Sequence, residues 1–522
     1  MGLLPLVLVA LASCRSATSP MGPVVVDGFV VDPLEEGLPL VRTVSFETDE
    51  STVATWTLTA GEHRIEQTVS EGTAHRSTLK GLRPDRVYTS VVRLAGPSGT
   101  RTVGGPDVAS GALPDTFPDI EALAWEPGRV EEGFTLINLT VPTEVDEVTH
   151  VVLLDDALEP VWMVTTGTFG YARWEDGVWG LSGGVGVHWT EDGAVDRRLV
   201  PGAASDPMPD VDVPMGVEEG LHYDILPTGR DSFWTVLFSS FEVEEYPLSA
   251  DNPEVVPNPQ MLRDMVIAEL GFDGALRNRW PLSERLDPGR ISYSSHARSK
   301  DGLDWAHTNA VNHNPDGGVI VSSRHQDAVV ALDEDGELQW ILANPDGWSE
   351  PYASKRLTPI GDVTWPSHQH APHVAEDGLL VMFDNGNHRG STPYDPGDGL
   401  EDPYTRIVGY RVDSAAMTVE ELWSFEDTVT GRIYSDALGD ADPLPHTGNV
   451  LATYSMLREE GSTFNEDEGR GRLTVRLIEF EPTSLQTVLD LRFSTDREAL
   501  PRGVRSFRAE RVAMKDLGWR VK

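Results

Sequence analysis

The chain has 522 residues, of which 39% are hydrophobic, and it contains 49 glycines and 37 prolines. This composition indicates a folded, turn-rich protein with two or more domains, or one large β architecture with a smaller companion, and it excludes a disordered chain. A formal net charge of -43 argues against nucleic-acid binding, because a phosphate backbone would be repelled, and it is typical of a solvated surface.

The N-terminal segment MGLLPLVLVALASCRSATSP contains an apolar run, Leu3 to Ala12, that is too short to span a bilayer as a mature helix. The run leads into Leu-Ala-Ser-Cys, which resembles the lipobox of bacterial lipoproteins, where cleavage leaves a lipidated N-terminal cysteine. We therefore predict a signal peptide and tether over residues 1–22 and a lipid anchor at Cys14. A signal peptide without lipidation is the alternative. The residue after the cysteine is Arg15, and not the aspartate that retains some bacterial lipoproteins in the inner membrane. The expected location is therefore the outer membrane of a bacterial cell envelope, facing the periplasm or the exterior.

Residues 23–115 predict a β-sandwich. Short alternating segments such as TVATWTLTA and VYTSVVRLAG are separated by turn residues at the spacing of that fold. Residues 81–88, GLRPDRVY, resemble the G-L-x-P-x-x-x-Y corner of fibronectin type III-like domains, in which the tyrosine hydroxyl bonds back to the chain. Tyr88 takes that place here, and Trp56 is a candidate core residue.

Residues 116–522 show a repeated pattern of a strand, a tight turn and an apolar strand. Four turn glycines mark the repeats: Gly229, Gly317, Gly378 and Gly448. Unequal repeats of short strands are typical of β-propeller blades. Residues 122–210 leave room for two more blades, so we predict an all-β protein with a six-bladed β-propeller. The best helix signal is Pro259 to Glu269, PQMLRDMVIAE.

Three of these repeats carry a histidine near the start of the strand before the turn. His222, His307 and His370 lie 7, 10 and 8 residues before their turn glycines. Asp440 lies 8 residues before Gly448 in the fourth repeat. The first strand of each propeller blade lines the central channel, so these side chains are expected to converge at one channel mouth.

The segment DWAHTNAVNHNPDGGVIVSSRH, residues 304–325, predicts a hairpin whose antiparallel return brings Arg324 back to His307. In the same way Asp384 and Asn385 are expected to return toward His370. Three imidazoles and a guanidinium at one mouth predict a site for an oxyanion such as sulfate, phosphate or carboxylate.

The other histidines of these segments are interpreted as structural or surface residues: His313, His325, His373, His388 and His446. His325 alternates with Arg324 along the predicted strand, so only one of the two is expected to face the channel. His368 remains open, because it shares a face with His370.

Several motifs resemble those of one known family. They are HYDILP (222–227), DWAHTN (304–309), SRHQDAV (323–329), and QH (369–370) followed by FDNG (383–386). In this order and spacing they resemble the bacterial arylsulfate sulfotransferases, a family of six-bladed propellers with an N-terminal β-sandwich. The resemblance covers most of residues 222–430.

The resemblance implies transfer of a sulfuryl group from an aryl sulfate donor to a phenolic acceptor through a sulfohistidine, without a nucleotide donor, cofactor or metal. His370 would be the nucleophile, while His222, His307 and Arg324 would bind the sulfuryl oxygens. His307 or His222 would also handle the phenolic proton. Three further residues are candidates for substrate contact, the last by stacking on the aryl ring: Asn309, Asn385 and Trp305.

Three other interpretations stay open. A propeller lipoprotein without catalytic activity would serve as a binding or assembly platform, since propellers host many functions. Residues 180–184, GLSGG, match the G-x-S-x-G pattern of hydrolases, which requires a turn from a strand into a helix. The same histidines would also suit a metal ion, although Arg324 among them opposes a cation.

Overall fold

The computed structural model describes residues 22–521, apart from 36, 144, 168–169, 203–206, 376, 397–402, 428–431, 459–471, 498–499 and 501. Cys14 and the predicted signal peptide lie outside the described residues. The chain divides into two units. Unit 1 consists of residues up to Leu34, Val41–Gly111 and the residues from Gly518 onward, and unit 2 consists of Glu35–Leu40 and Ala112–Leu517.

The described residues form β-strands and short 3-10 helices, which confirms the predicted all-β class. The first six strands belong to unit 1: β1 (Val25–Val31), β2 (Arg42–Ala60), β3 (His63–Leu79), β4 (Val87–Gly96), β5 (Gly99–Gly104) and β6 (Val108–Ala109). Those of unit 2 are β7 (Asp119–Trp125), β8 (Phe134–Pro142), β9 (Glu147–Leu154), β10 (Pro160–Thr166), β11 (Gly170–Trp174), β12 (Val178–Ser182), β13 (Val185–Trp189), β14 (Val195–Pro201), β15 (Asp212–Met215), β16 (Leu221–Pro227), β17 (Ser232–Ser249), β18 (Asn252–Gly271), β19 (Leu276–Pro281), β20 (Arg298–Ser299), β21 (Gly302–Leu303), β22 (Thr308–His313), β23 (Val319–Ser323), β24 (Ala328–Leu332), β25 (Leu338–Ala343), β26 (Thr358–Pro359), β27 (His370–Val374), β28 (Leu379–Asp384), β29 (Arg406–Asp413), β30 (Thr418–Phe425), β31 (Asp440–Pro443), β32 (Val450–Arg458), β33 (Leu473–Glu481), β34 (Gln486–Ser494) and β35 (Ala509–Val512). The last strand is β36 (Trp519–Val521). The 3-10 helices are Leu282–Glu284, Arg324–Gln326, Ala353–Lys355 and Met514–Asp516. In the described part of the chain, no helix is long and apolar enough to cross a membrane.

Unit 1 contains one sheet among the described residues, sheet A, with the strand order β36-β3-β2-β4-β5. Two further strands pair with this sheet, β1 with β2 and β6 with β4. Trp56 is fully buried in its core, as the sequence predicts. The predicted tyrosine corner is also present, because the Arg83 main-chain N–H donates a hydrogen bond of 2.8 Å to the Tyr88 hydroxyl. That bond pins the connection between β3 and β4.

Unit 2 contains six separate sheets, B to G, in the described residues. Their strand orders are β10-β9-β8-β35 (sheet B), β11-β12-β13-β14-β15 (C), β16-β17-β18-β21-β20 with β19 on β18 (D), β22-β23-β24-β25 (E), β26-β30-β29-β28-β27 (F) and β31-β32-β33-β34-β7 (G). Sheet G therefore includes the first strand of unit 2, and sheet B includes its last strand.

Buried apolar side chains link each of these sheets to the next. Members of the shared clusters are Leu199 and Leu237 (C and D), Trp234 and Val321 (D and E), Leu342 and Met382 (E and F), Phe383 and Ile478 (F and G), and Leu477 and Ile137 (G and B). Between B and C, the Trp162 and Trp174 rings meet edge to face, 6.4 Å apart. Alternate residues of each strand thus pack on opposite neighbouring sheets, which explains why most strands are apolar on both faces.

The predicted helix at Pro259 to Glu269 is wrong, because these residues belong to strand β18. They pair with β17 in a long antiparallel hairpin, with Met265 opposite Phe238 and Ile267 opposite Val236. Residues from Met265 to Ala268 are fully buried on both faces of sheet D. A short run that is apolar throughout has the same appearance in an interior strand and in a buried helix, so periodicity did not separate the two.

Candidate active site

The hairpin formed by β22 and β23 brings Arg324 to His307, as the sequence predicts. Thr308 pairs with Ser323, and the Arg324 main-chain N–H donates to the His307 carbonyl at 3.1 Å. Neighbouring first strands carry the other predicted residues, since β22 contacts β16 and β27, and β27 contacts β31. The repeat register therefore places His222 and His370 on strands that flank this hairpin.

The prediction that His325 and Arg324 alternate along a strand is wrong. The chain leaves the strand after Ser323 and forms a 3-10 helix over Arg324–Gln326, so the two-residue alternation of a strand no longer applies. The His325 ring stacks on His307 with centroids 4.4 Å apart. Its Nε2 accepts a hydrogen bond of 3.0 Å from Nη1 of Arg324.

Asp304 fixes both stacked imidazoles. Its carboxylate accepts a hydrogen bond from His307 Nδ1 at 2.6 Å, and its main-chain oxygen accepts one from His325 Nδ1 at 2.6 Å. In the neutral rings, Nε2 is then the acceptor nitrogen. The Tyr223 hydroxyl lies 2.7 Å from His307 Nε2 and donates to it. Asp304, His307 and Tyr223 thus form a continuous chain of hydrogen bonds.

His370 is held by Asn385. The Asn385 side-chain amide donates to the main-chain oxygens of Ser435 (2.8 Å) and Leu438 (2.9 Å), which leaves its Oδ1 facing the imidazole. That oxygen accepts a hydrogen bond of 2.6 Å from His370 Nδ1. The neutral ring therefore carries its proton on Nδ1 and its lone pair on Nε2, and none of the described residues hydrogen-bonds to that Nε2.

Arg324 has no carboxylate within ion-pair distance among the described residues. One of its terminal nitrogens bonds to His325 and the other donates to the Asp436 main-chain oxygen at 3.0 Å. A guanidinium with only neutral hydrogen-bond partners retains its full charge for an anion. This cation lies close enough to His370 to affect that imidazole electrostatically.

His222 contacts Tyr223 and Phe238, with ring centroids 3.8 and 4.0 Å away. A cavity of about 750 Å³ opens beside these residues. Its wall includes His222, Tyr223, Phe238, Lys300 and Phe507. Such a volume, with aromatic walls and a few polar groups, matches a small-molecule site.

Burial lowers the pKa of three histidines at the site. It is the main cause that lowers the pKa of His222 to about 3, and the neighbouring His307 and Arg263 act in the same direction. It also holds the pKa of His370 well below its ordinary value, helped mainly by Arg324, and that of His325 likewise, helped by His307 and Arg324. These imidazoles are therefore neutral near pH 7, so the site combines neutral rings with the cation of Arg324.

The backbone is strained at several of these positions. Tyr223, His307, His368 and Ala371 have φ angles of 57°, 46°, 55° and 45°, a left-handed conformation that bulky residues seldom adopt. Each such residue costs about 1–3 kcal/mol and tends to occur at functional sites. The surrounding hydrogen bonds hold this geometry in place.

Two predicted substrate contacts are used within the protein. The Asn309 amide donates to the Gln369 carbonyl at 2.8 Å. Trp305 is fully buried in the cluster between sheets D and E and donates to the Arg290 carbonyl at 2.9 Å, so it packs in the core and does not line the cavity. Asn385, as described, positions His370. Asp384 lies at the end of β28 but pairs with Arg389 and Arg406.

Three of the remaining histidines differ in their surroundings. His368, left open by the sequence, is buried between Asp327 (Nδ1 to Oδ1, 2.8 Å) and Ser294 (Nε2 to Oγ, 2.7 Å). His313 is exposed at the far end of the hairpin, in keeping with its predicted surface position. His388 packs on Tyr293 at 4.5 Å.

The geometry also bears on the hydrolase and metal interpretations. Ser182 ends β12 and leads through a two-glycine turn into β13, so the strand-to-helix turn of a hydrolase nucleophile is not formed there. Asp304, His307 and His325 have ligand-type atoms within 4.8 Å of one another. Both Nδ1 atoms are already bonded to Asp304, and the adjacent Arg324 disfavours a cation at that point.

Known proteins resemble part of this chain. Residues 249–501, which include His307, Arg324 and His370, match the family model described as Arylsulfotransferase (ASST). This region thus carries an arylsulfotransferase domain, and both relatives below bear the same name, which confirms the family predicted from the motifs. It is 32% identical over 148 residues to the arylsulfate sulfotransferase AssT of Escherichia coli O6:H1, a match covering 24% of this chain and 23% of that protein. It is 28% identical over 218 residues to AssT of Lelliottia amnigena, covering 31% of this chain and 35% of that protein. The matches thus span about a quarter to a third of these relatives.

We predict that His370 and His222 stay neutral in the folded protein at pH 5.5. An ordinary histidine, with a pKa of about 6.5, is roughly 90% protonated at that pH. Because the folded-state pKa values are lowered, the rings take up protons only below them or on unfolding, and acid therefore destabilises the fold. Ring ¹⁵N NMR measures the protonation state of the two imidazoles, with the signals assigned from His370→Ala and His222→Ala. The urea-unfolded chain is the control. A protonated His370 ring at pH 5.5 in the folded protein would contradict the prediction.

Proposed function

We propose that the protein transfers a sulfuryl group from an aryl sulfate to a phenolic acceptor through a covalent sulfohistidine at His370. The observation that carries this proposal is the orientation of His370, whose Nδ1 is fixed by Asn385 while its Nε2 lone pair has no bond among the described residues. The names of the two relatives, both arylsulfate sulfotransferases, support the reaction class.

In the first half-reaction, His370 Nε2 would attack the sulfur atom. An N–S bond forms, the bond between sulfur and the aryl oxygen breaks, and the phenol departs as its anion or takes a proton. A phenol leaves readily because its pKa is near 10. The transferred group spreads negative charge over its oxygens, so the fixed cation of Arg324 would stabilise the transition state.

In the second half-reaction, a phenolic acceptor would lose its proton and attack the same sulfur. The new S–O bond replaces the N–S bond and restores the neutral imidazole. His307 is the best-placed base, because the Asp304 carboxylate accepts from its Nδ1 and would stabilise the imidazolium that forms. Its Nε2 already accepts a phenolic hydrogen bond from Tyr223, the same chemical group as the acceptor.

The aryl ring of the substrate would occupy the cavity beside His222. Phe238 and Phe507 supply apolar surface there, and Lys300 supplies a positive charge at the wall. Neutral His222 would donate or accept one hydrogen bond to the bound group without adding charge.

We further propose that sheets B to G are the six blades of a β-propeller and that unit 1 is a fibronectin type III-like β-sandwich. Support comes from six sheets packed in succession, with sheet G packed on sheet B, and from the Tyr88 corner. A crystal structure tests this, and sheets that do not meet around one channel would contradict it.

The sequence around Cys14 supports a third proposal, that the protein is a lipoprotein of the bacterial cell envelope, anchored to the outer membrane. In cells, we expect a Cys14→Ser variant to leave the membrane fraction, because it has no acceptor for the lipid. A variant that stays in the membrane fraction, with the parent protein showing no incorporation of labelled fatty acid, would contradict lipidation.

Purified protein incubated with 4-nitrophenyl sulfate and phenol tests the reaction. We expect nitrophenol release to rise with phenol, and His370→Ala to lower turnover about 10³-fold or more, as loss of a nucleophile does. His313→Ala is the matched control, since His313 is exposed at the opposite end of the β22–β23 hairpin, and it should retain activity.

Donor alone should give a protein whose mass rises by one SO₃ group on the peptide that contains His370. The proposal fails if nitrophenol release is independent of phenol, or if His370→Ala behaves like the parent protein.

A further inference from the structure

A second cluster of ligand-type side chains joins sheets F and G. It consists of His373 on β27 and of Asp440 and Asp442 on β31. The two aspartates are alternate residues of one strand and therefore share a face. One nitrogen or oxygen from each of the three side chains lies within 4.8 Å of the others.

Asp440 is only 1% exposed, yet neither carboxylate oxygen has a hydrogen-bond partner in the described part of the protein. Arg508 Nε lies 3.6 Å from Asp440 Oδ2, and the same guanidinium also faces Asp224, 3.5 Å away. Burying a carboxylate without hydrogen bonds is costly. The Asp440 oxygens, which lack hydrogen bonds and share Arg508 with Asp224, therefore point to a ligand that supplies further positive charge.

His373 gives a related signal. Its Nε2 lies 2.8 Å from Asp442 Oδ1, where the angles do not make a hydrogen bond, and 3.7 Å from Asp440 Oδ1, which is too far for one. A ring nitrogen that is close to two carboxylates without bonding to them is oriented toward a point between them. That arrangement is the one expected of ligands directed at a common ion.

The cluster is also accessible. A cavity of about 230 Å³ reaches His373 and Asp442, with Glu131, Glu510 and Arg511 in its wall. Arg511 is paired with Glu479 at 2.7 Å, and Glu131 accepts main-chain hydrogen bonds from His446 and Thr447. Glu510 accepts one from the Trp174 main chain. The cavity has room for an ion to enter and for water ligands.

We propose that His373, Asp440 and Asp442 bind a divalent transition-metal cation, Zn²⁺ or Mn²⁺. One imidazole and two carboxylates are a donor set that suits these ions, whereas Ca²⁺ takes oxygen ligands alone and in larger number. The ion would bridge strands of two neighbouring sheets, so its role would be structural. This site is separate from the proposed sulfuryl-transfer chemistry and does not depend on it.

Calorimetric titration of the full-length, chelator-treated protein with ZnCl₂ and with MnCl₂ tests the site. We expect one saturable site per chain for at least one of the two ions, and a higher melting temperature with the metal bound. Asp440→Asn and Asp442→Asn should each weaken binding by about tenfold or more. Glu334→Gln, an exposed carboxylate on the turn between β24 and β25, is the matched control and should bind as the parent does.

His307→Ala distinguishes this site from the Asp304, His307 and His325 group, and it should leave binding intact. If an aspartate variant does not fold, a Co²⁺ titration of the parent protein decides, since visible absorption bands that ZnCl₂ abolishes are expected. The proposal is overturned if neither ion shows saturable binding, if the Co²⁺ bands do not appear, or if Asp442→Asn has no effect on binding. The cluster would then be a histidine placed between two carboxylates. Loss of binding in His307→Ala would also overturn the proposal.

Discussion

The two hydrogen bonds that Asp304 accepts determine the character of the site. They place a proton on Nδ1 of both His307 and His325, so that Nε2 of each neutral ring is an acceptor. Tyr223 and Arg324 then have one way to bond, as donors to those nitrogens. The orientation of the guanidinium is consequently linked, through His325, to the main-chain oxygen of Asp304. Asn385 imposes the same tautomer on His370 by a separate route.

This arrangement separates charge from nucleophilicity. Neutral imidazoles cost little to bury and keep a lone pair, whereas a buried cation requires compensation. Arg324 is surrounded by a ring nitrogen and a carbonyl oxygen, which orient it without neutralising it. The nearest acids are committed elsewhere, with Asp327 on His368 and Asp436 on Arg458. The protein thus maintains a fixed positive charge beside an uncharged nucleophile, a preorganised environment for a transferring anion.

The sequence predicted the parts of the site that follow from hairpin geometry. Antiparallel return was enough to bring Arg324 to His307 and Asn385 to His370, because register follows from the turn. It did not predict His325, since the local 3-10 turn after Ser323 changes the direction of side chains without a clear sequence signal. Tyr223 was not predicted as a site residue, because its left-handed backbone could not be inferred from its neighbours in the sequence. The apolar run in β18 was ambiguous because burial on both faces removes periodicity.

The first strand of unit 2 belongs to sheet G and its last strand belongs to sheet B, and this pairing has a consequence for biosynthesis. Sheet B needs β35 and sheet G needs β7, so each joins segments separated by more than 360 residues. During translation, the N-terminal strand β7 must wait unpaired until β34 has emerged, and β8 keeps an open edge until β35 does. An unpaired edge invites contact with other chains. Vectorial synthesis therefore leaves this unit exposed to misassociation until its last strands leave the ribosome, and premature termination near the C-terminus would leave the first sheet incomplete.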